Sequence, residues 1–275
     1  MAFPLSLAFL TVRHSEPEEA VRIAAEVGYD MVGLRLLPAA PTEAPYALMT
    51  DATVQANVEA ALRDTGVAFA DMEIVRLKPE TVVADFEAFC ALGQRLGARN
   101  ILVAGDDPDH TRLTETFGRF AELAGAHGLT ADLEFMPWTA VKTLSDAKKI
   151  VEAAGAANGG VLIDALHFDR SGSTVDDVRA LDPSRINYAQ ICDGPVPYDP
   201  SDEGLITIAR NGRLLPGDGG IDLAGLIRAL PDCTPISVEI PSPLELELGP
   251  LDFARRAADL TRALIANALS AAETG

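Results

Sequence analysis

Short apolar runs alternate with amphipathic stretches along the whole chain. The apolar runs are rich in aliphatic and β-branched residues at successive positions, which is typical of parallel strands that helices cover on both faces. The pattern predicts eight such strands, over residues 5–12, 29–36, 67–75, 100–104, 129–135, 160–163, 186–191 and 236–240.

The stretches between these runs have helical periodicity and helix-terminal residues. The first predicted helix begins after Ser15, with Pro17 and acidic residues in its first turn, and it ends at Gly28. These residue types favour the two ends of a helix. Similar patterns predict helices over residues 51–62, 79–97, 111–126, 145–154, 174–181 and 250–271.

Eight strand–helix units in a chain of 275 residues predict an α/β fold, a single (β/α)₈ TIM barrel. An open doubly wound sheet is the alternative. It is less favoured because no GxGxxG motif follows a predicted strand and because such a sheet usually contains fewer units. No composition shift or linker divides the chain, so residues 1–275 are predicted to form one domain.

One connection is much longer than the others. Residues 193–220, after the seventh predicted strand, are rich in Gly, Pro and Asp. Connections of this length in a compact domain are usually functional loops or disordered segments. On a TIM barrel this segment would lie over the C-terminal mouth, where active sites are found. The segment is therefore a candidate lid.

The net charge of the chain limits the classes of partner that it can bind. The 22 Lys and Arg residues against 41 Asp and Glu residues give a net charge of −19. A protein that binds nucleic acid or an anionic membrane surface needs a basic face, and no basic cluster is present. We therefore expect a small-molecule partner, no nucleic acid and no membrane. Because the apolar rims of barrels commonly pair, a homo-oligomer is one alternative for the assembly.

The cysteines and the first residues indicate the compartment. Cys90, Cys192 and Cys233 form no CxxC pair, and their odd number leaves no complete disulfide framework, which favours a reducing compartment. The apolar residues 1–12 lack a basic segment before them and a cleavage site after them, so a buried strand is favoured over a signal peptide. The prediction is a cytoplasmic protein.

Oxygen-bearing side chains stand at the C-terminal ends of four consecutive predicted strands. They are Glu134, Asp164, Gln190 and Glu239. A structural ion pair would explain any one of these carboxylates, but three of them at one barrel mouth would repel one another without a cation. An all-oxygen set suits a hard divalent cation such as Mn²⁺ or Mg²⁺ better than zinc.

These strand ends and two further segments resemble the xylose-isomerase-like TIM-barrel superfamily of sugar phosphate isomerases and epimerases and AP endonuclease family 2-like proteins. One segment is Asp164-Ala-Leu-His167, and the other, over residues 210–222, is similar to the family's Arg…PGxGxID stretch. Members include tagatose 3-epimerase, hydroxypyruvate isomerase, inosose dehydratase, 3-dehydroshikimate dehydratase and endonuclease IV. With only four histidines and a net charge of −19, the chain does not fit the DNA-repair member.

The resemblance implies a metal site. Its ligands would be Glu134, Asp164, Gln190 and Glu239. They would hold one divalent cation, Mn²⁺ or Mg²⁺ in the first place and Co²⁺ or Zn²⁺ as alternatives, and no organic cofactor is implied.

The resemblance also implies substrate contacts. His167 would bind the substrate or act as an acid or base beside the cation, and Arg210 or Arg213 would anchor the substrate from the lid. Trp138 either stacks on the substrate or packs within its loop. Asp193, directly after the seventh predicted strand, is a further candidate substrate contact.

The chemistry of such a site favours proton transfer. A divalent cation on a carbonyl and an adjacent hydroxyl makes the neighbouring proton easier to remove, and Glu134 and Glu239 are the candidate acid/base pair. Protonation of the enediolate gives an isomerase or epimerase of a keto-sugar or polyol-derived substrate, which is the favoured prediction. Loss of a hydroxyl gives a dehydratase of a cyclic keto-polyol or keto acid. Gln190, where many epimerases of the family have His, favours the dehydratase. A sugar-binding barrel without turnover is the third hypothesis.

Overall fold

The computed structural model describes residues 3–273. Within this range, eight parallel strands close into a barrel in the order of the chain. The strands are β1 (Leu5–Leu7), β2 (Met31–Arg35), β3 (Ala68–Leu77), β4 (Asn100–Gly105), β5 (Thr130–Glu134), β6 (Gly159–Asp164), β7 (Ala189–Ile191) and β8 (Ile236–Val238). The predicted (β/α)₈ TIM barrel is confirmed.

Helices follow the strands and pack around the barrel. They are α1 (Pro17–Val27), α2 (Ala47–Thr50), α3 (Ala52–Thr65), α4 (Glu87–Leu96), α5 (His110–Ala126), α6 (Leu144–Ala154), α7 (Ala165–Arg170), α8 (Val175–Arg179), α9 (Asp202–Asn211), α10 (Leu223–Ala229), α11 (Leu244–Leu248) and α12 (Pro250–Glu273). The helix-terminal signals act as predicted. Gly28 ends α1 in the left-handed conformation with φ 82°, and the Asp51 carboxylate accepts from the first N–H groups of α3.

Apolar side chains form two layers. The larger one lies between the strands and the helices and includes the fully buried Phe117, Phe120 and Phe253. A smaller cluster lies inside the barrel and consists of Ile74, Leu102, Ala104, Met136, Leu162 and Tyr188. The barrel is thus a packed core rather than a pore, and its polar chemistry is concentrated at the C-terminal mouth.

The first strand is shorter than predicted. It ends at Leu7, and the apolar residues that follow form a 3₁₀ helix, Phe9–Val12. The reason is a contact with the last strand, because the Thr11 hydroxyl donates to the Val238 carbonyl and accepts from the Ile240 N–H. This turn carries the next residues over the barrel mouth.

Other elements also differ from the prediction. A helix, α7, directly follows β6 where no element was predicted, and it begins there because the Asp164 carboxylate accepts from the His167 N–H. The predicted lid contains α9, whose N-terminus is capped by the Ser201 hydroxyl. The helix predicted over residues 79–97 begins later, at Glu87, after a short 3₁₀ turn.

No helix in residues 3–273 is both long enough and apolar enough to cross a membrane.

Candidate active site

A cavity of about 350 Å³ opens at the C-terminal mouth of the barrel. Six of the side chains predicted for the site line it, namely Glu134, Trp138, His167, Arg210, Arg213 and Glu239. They come from four different parts of the chain that the closed barrel brings together. The cavity is the candidate active site.

The four predicted cation ligands lie at the C-terminal ends of four consecutive strands. Glu134 and Asp164 are the last residues of β5 and β6, and Asp164 pairs with Gln190 of β7. Glu239 directly follows β8, and its N–H donates to the Ile191 carbonyl. All four side chains are buried. Glu134 and Glu239 line the cavity, whereas Asp164 and Gln190 do not line it and contact its floor through Arg213 and Glu239.

His167 lies closer to two of these carboxylates than the sequence prediction placed it. One atom each of Glu134, Asp164 and His167 lie within 4.8 Å of one another. The His167 Nε2 is 3.7 Å from Glu134 Oε1 and 4.0 Å from Asp164 Oδ1. This histidine is thus a candidate ligand as well as a candidate substrate contact.

Arg213 connects the other half of the floor. Its guanidinium donates to Asp164 Oδ2, and its Nη2 is 3.0 Å from Glu239 Oε2. The Gln190 Nε2 donates to Glu239 Oε1 at 3.1 Å. Arg213 itself is only 3% exposed, so it is an internal counter-charge rather than a mobile surface residue.

The floor brings together more carboxyl groups than cations. Glu134, Asp164 and Glu239 face one guanidinium, so ionisation of all three carboxyl groups would leave two negative charges uncompensated. Burial, with repulsion from Glu73 and Asp164, raises the pKa of Glu239 from 4.5 to about 8 in spite of Arg213. Burial and the charges of Asp164 and Glu239 raise the pKa of Glu134 well above its usual value.

The pKa values of Asp164 and His167, in contrast, are lowered. Burial opposes ionisation of Asp164, but the charges of Arg213 and His167 outweigh it and hold the pKa of that carboxyl below its usual value. Burial lowers the pKa of His167 to about 4, so the imidazole is neutral at neutral pH.

The donor set fits a divalent cation. Gln190 Oε1 is buried and, among the described residues, has no hydrogen-bond partner, and the same is true of His167 Nδ1. A buried, unpartnered carbonyl oxygen is costly unless something satisfies it. A dipositive ion would satisfy Gln190 Oε1 and would balance the two charges that Glu134 and Glu239 carry once they are ionised.

The other predicted substrate residues differ in their placement. The Trp138 ring packs edge-on against the His167 ring, with centroids 5.0 Å apart, and it forms part of the cavity wall. Arg210 is an exposed residue near the end of α9 and lines the same cavity. The predicted lid thus supplies both arginines, Arg210 to the wall and Arg213 to the floor.

Asp193 is a correction to the prediction. Its buried carboxylate accepts from the N–H groups of Gly217, Gly219 and Ile221, and its backbone pairs with Leu214. It does not line the cavity. Because its oxygens are used by the loop itself, Asp193 shapes the 193–220 segment and does not contact a substrate in the cavity.

No role was predicted for two residues of the mouth. Arg13 and His14 line the cavity directly after the 3₁₀ turn that follows β1. Arg35, at the end of β2, also lines the cavity and is paired with Glu73. The His14 Nδ1 is 2.7 Å from Glu245 Oε2, and Glu245 is only 1% exposed. The available signal was the position of Arg13 and His14 directly after the first apolar run.

The shifted pKa values predict how pH changes the stability of the metal-free protein. Glu239 keeps its proton in the folded state up to about pH 8 but ionises near 4.5 when unfolded. The folded state therefore binds more protons between these values, so the free energy of unfolding falls as the pH rises. From pH 6.5 to 8 we expect a loss of about 1–2 kcal/mol from this group.

Chemical denaturation in EDTA at several pH values measures this loss. His167 is neutral in the folded state throughout this window, and only its unfolded form still loses charge there, so its opposite contribution, a loss of stability as the pH falls toward 4, is only about 0.4 kcal/mol between pH 8 and 6.5. Asp71, whose pKa is also raised by burial, changes stability in the same direction, so the Glu239→Gln variant is the matched control. A pH dependence as steep in the variant as in the wild type would contradict the assignment to Glu239.

Comparison with known proteins identifies related chains. The family model described as xylose isomerase-like TIM barrel matches residues 21–264. The inosose isomerase of Halalkalibacterium halodurans is 30% identical over 146 residues, which cover 51% of this chain and 50% of that protein. The 3-dehydroshikimate dehydratase of Pseudomonas aeruginosa is 28% identical over 142 residues, which cover 50% of this chain and 22% of that protein. The matches thus span half or less of these relatives.

A solved structure is similar over nearly the whole chain. It is that of an IOLI protein with a binding zinc atom, and the match has a TM-score of 0.79. It covers 96% of this chain and 99% of that chain at 18% sequence identity. At this level of identity the likeness concerns the fold.

Proposed function

Because the chain belongs to the xylose isomerase-like TIM-barrel family, we propose that it is an enzyme that moves a proton next to a carbonyl group of a polyhydroxylated substrate, as an isomerase or epimerase. The observation that carries this proposal is the pair of buried glutamates, Glu134 and Glu239, in one cavity at the barrel mouth. Carboxyl groups on two different strands can remove a proton at one position and return it at another.

The electrostatics of the pair support this role. A general acid or base works best when its pKa is near the working pH. Glu239, with a pKa of about 8, can hold or release a proton near neutral pH, and burial with the charges of Asp164 and Glu239 raises the pKa of Glu134 in the same direction. His167, which is neutral there, can donate to or accept from a substrate oxygen without adding charge.

We propose that the residues around the floor hold one divalent cation. The candidate ligands are Glu134, Asp164, Gln190 and Glu239, and Mn²⁺ or Mg²⁺ suits their oxygen atoms. A bound cation would polarise the substrate carbonyl and make the neighbouring proton more acidic. The zinc atom of the similar IOLI structure makes Zn²⁺ an alternative, and the proximity of His167 to Glu134 and Asp164 would suit it.

Dehydration of a cyclic keto-polyol or keto acid is the second candidate function. It is favoured by Gln190, an amide where many epimerases of the family have His, and by the similarity to a 3-dehydroshikimate dehydratase. The first step, removal of a proton next to a carbonyl, is the same in both reactions. They differ in whether a proton returns or a hydroxyl leaves.

Solvent deuterium exchange distinguishes the two. The Mn²⁺-loaded protein is incubated in D₂O with a panel of keto-sugars, inososes and cyclic keto acids. Nuclear magnetic resonance measures deuterium at the carbon next to the carbonyl, and ultraviolet absorbance detects a conjugated enone. We expect exchange without an enone for at least one member of the panel.

The other outcomes are equally informative. Formation of an enone would establish the dehydratase instead. Neither signal across the panel, with a bound cation demonstrated by calorimetry, would leave a sugar-binding barrel without turnover.

A further inference from the structure

The cavity wall is unusually rich in arginine for such an acidic chain. Five arginines line it, namely Arg13, Arg35, Arg76, Arg210 and Arg213, against three carboxylates, Glu43, Glu134 and Glu239. The chain as a whole has a net charge of −19. Arginines outnumber carboxylates along this lining although the chain as a whole is acidic, and what each arginine can offer to a ligand depends on the partner that it already has.

Three of the five arginines already have carboxylate partners. Arg35 is 2.6 Å from Glu73, Arg76 is 2.6 Å from Asp106, and Arg213 lies between Asp164 and Glu239. These pairs belong to the barrel itself and leave little charge for a ligand. His14, which also lines the cavity, is paired with Glu245 in the same way.

The other two arginines have no such partner. Within residues 3–273, no carboxylate oxygen lies within 4 Å of the guanidinium of Arg13 or Arg210. Two rim arginines without counter-ions can therefore both supply donors to an incoming anion. The remaining carboxylate of the rim, Glu43, already accepts from the Ala39 N–H and the Tyr46 hydroxyl.

A direct contact holds Arg13 and Arg210 on the same part of the rim. The Arg13 Nη1 donates to the backbone carbonyl of Arg210 at 2.7 Å and to Asn211 Oδ1 at 3.1 Å. The turn after β1 is thereby fastened to the end of α9, nearly two hundred residues away in the chain. The remaining guanidinium donors of Arg13 and all those of Arg210 have no protein acceptor among the described residues.

Arg210 also lines a groove that adjoins the cavity. The groove includes Lys78, which likewise has no carboxylate within 4 Å among the described residues, and it shares Arg76 and Arg210 with the cavity. It also contains Glu80 and Asp85, so the groove carries charges of both signs, and the unpartnered cations of the cavity rim are Arg13 and Arg210. A ligand that reaches from the floor to this rim would place its reactive carbonyl and its charged group at opposite ends.

We propose that Arg13 and Arg210 form an anion-binding subsite and that the substrate is a polyhydroxylated compound that carries a carboxylate or a phosphate. Guanidinium groups present paired N–H donors that match the oxygen atoms of both anions. This inference rests on the proposed function for the position of the reacting end of the substrate. It goes further in assigning the substrate a negative charge, which an inosose or a simple keto-sugar does not have.

Calorimetric binding of ring compounds that differ in charge tests the subsite without turnover. The probes are myo-inositol, which is neutral, quinate, which carries a carboxylate, and myo-inositol 1-phosphate, all at low ionic strength with the Mn²⁺-loaded protein. We expect at least one anion to bind about tenfold or more tightly than myo-inositol. The tighter of the two anions identifies the charged group as a carboxylate or a phosphate.

Substitutions locate the effect. Arg210→Gln and Arg13→Gln are each expected to weaken binding of the anion about tenfold more than they weaken binding of myo-inositol. Arg210→Gln is the decisive variant, because Arg13 also fastens α9 and its removal can shift the rim. The matched control is the double variant Arg22→Gln with Arg228→Gln, which removes two exposed charges far from the mouth.

The outcomes separate this inference from the proposed reaction. Anion affinity that stays the same in Arg210→Gln, or that falls equally in the control, overturns the subsite, as does a wild type that binds neither anion more tightly than myo-inositol. A charge preference that depends on Arg210 in a protein that shows no proton exchange would retain the subsite and reject the reaction. Proton exchange on a neutral substrate, in a protein that binds anions no more tightly than myo-inositol, would retain the proposed reaction and reject the anion-binding subsite.

Discussion

The Glu239→Gln variant is expected to exchange substrate protons about 10²- to 10⁴-fold more slowly than the wild type. Glutamine has nearly the same shape as glutamate and can still accept the hydrogen bond from Gln190, but it cannot take up or release a proton near neutral pH. The measurement is the initial rate of deuterium incorporation in D₂O with saturating Mn²⁺. The rate is compared with that of the wild type on the same substrate.

Because Glu239 is also a candidate cation ligand, the variant could exchange slowly for lack of the cation rather than for lack of the base. Mn²⁺ affinity is measured by calorimetry on the same variant, and rates are taken at concentrations that saturate it. Glu247→Gln, an exposed residue of α11 in the segment that follows Glu239, is the matched control and should exchange at the wild-type rate. Exchange by a Mn²⁺-saturated Glu239→Gln variant within a few-fold of the wild type would remove Glu239 from the acid/base pair.

The Arg213→Met variant is expected to lose about 3–5 kcal/mol of unfolding free energy in the absence of metal. Methionine keeps much of the apolar length of the side chain, but Asp164 and Glu239 are then buried without their cationic partner. The loss should be larger at pH 8 than at pH 6, because Glu239 holds its proton at the lower pH and needs no partner there. Denaturant unfolding in EDTA at both pH values measures the change.

A divalent cation should partly restore the stability of this variant. Binding to the folded state alone adds about 2.7 kcal/mol at a hundredfold excess over the dissociation constant. Arg228→Met, on the exposed face of α10, is the control and should change stability by no more than about 0.5 kcal/mol. A metal-free Arg213→Met protein as stable as this control would show that Arg213 does not compensate the carboxylates of the floor.

The sequence by itself determined the barrel and the level of its site. Parallel strands buried on both faces need continuous apolar runs, and this local pattern shows where the strands lie before any contact is known. A closed barrel brings all strand ends to one mouth, so Glu134, Asp164, Gln190 and Glu239 were placed together by topology alone. Their roles as ligands or acid/base groups stay predictions that the experiments above test.

Only the tertiary structure decided features that depend on contacts distant in the chain. The apolar residues 9–12 resemble a strand, and they form a 3₁₀ helix because Thr11 bonds to β8 from the other end of the sequence. Asp193 was predicted as a substrate contact from its place after the seventh strand, but its carboxylate accepts hydrogen bonds from the loop that returns to it. No local pattern encodes either contact.

Arg210 and Arg213 also differ in a way that only the tertiary structure shows. The resemblance of residues 210–222 to the family's Arg…PGxGxID stretch left Arg210 and Arg213 as equivalent candidates, but the structure separates them into an exposed rim residue and a buried counter-charge. Arg13 joined the rim only because the first turn and α9 meet over the mouth. Periodicity is a local property that a sequence shows directly, whereas charge pairing depends on which side chains meet in space, and that is decided when the barrel closes.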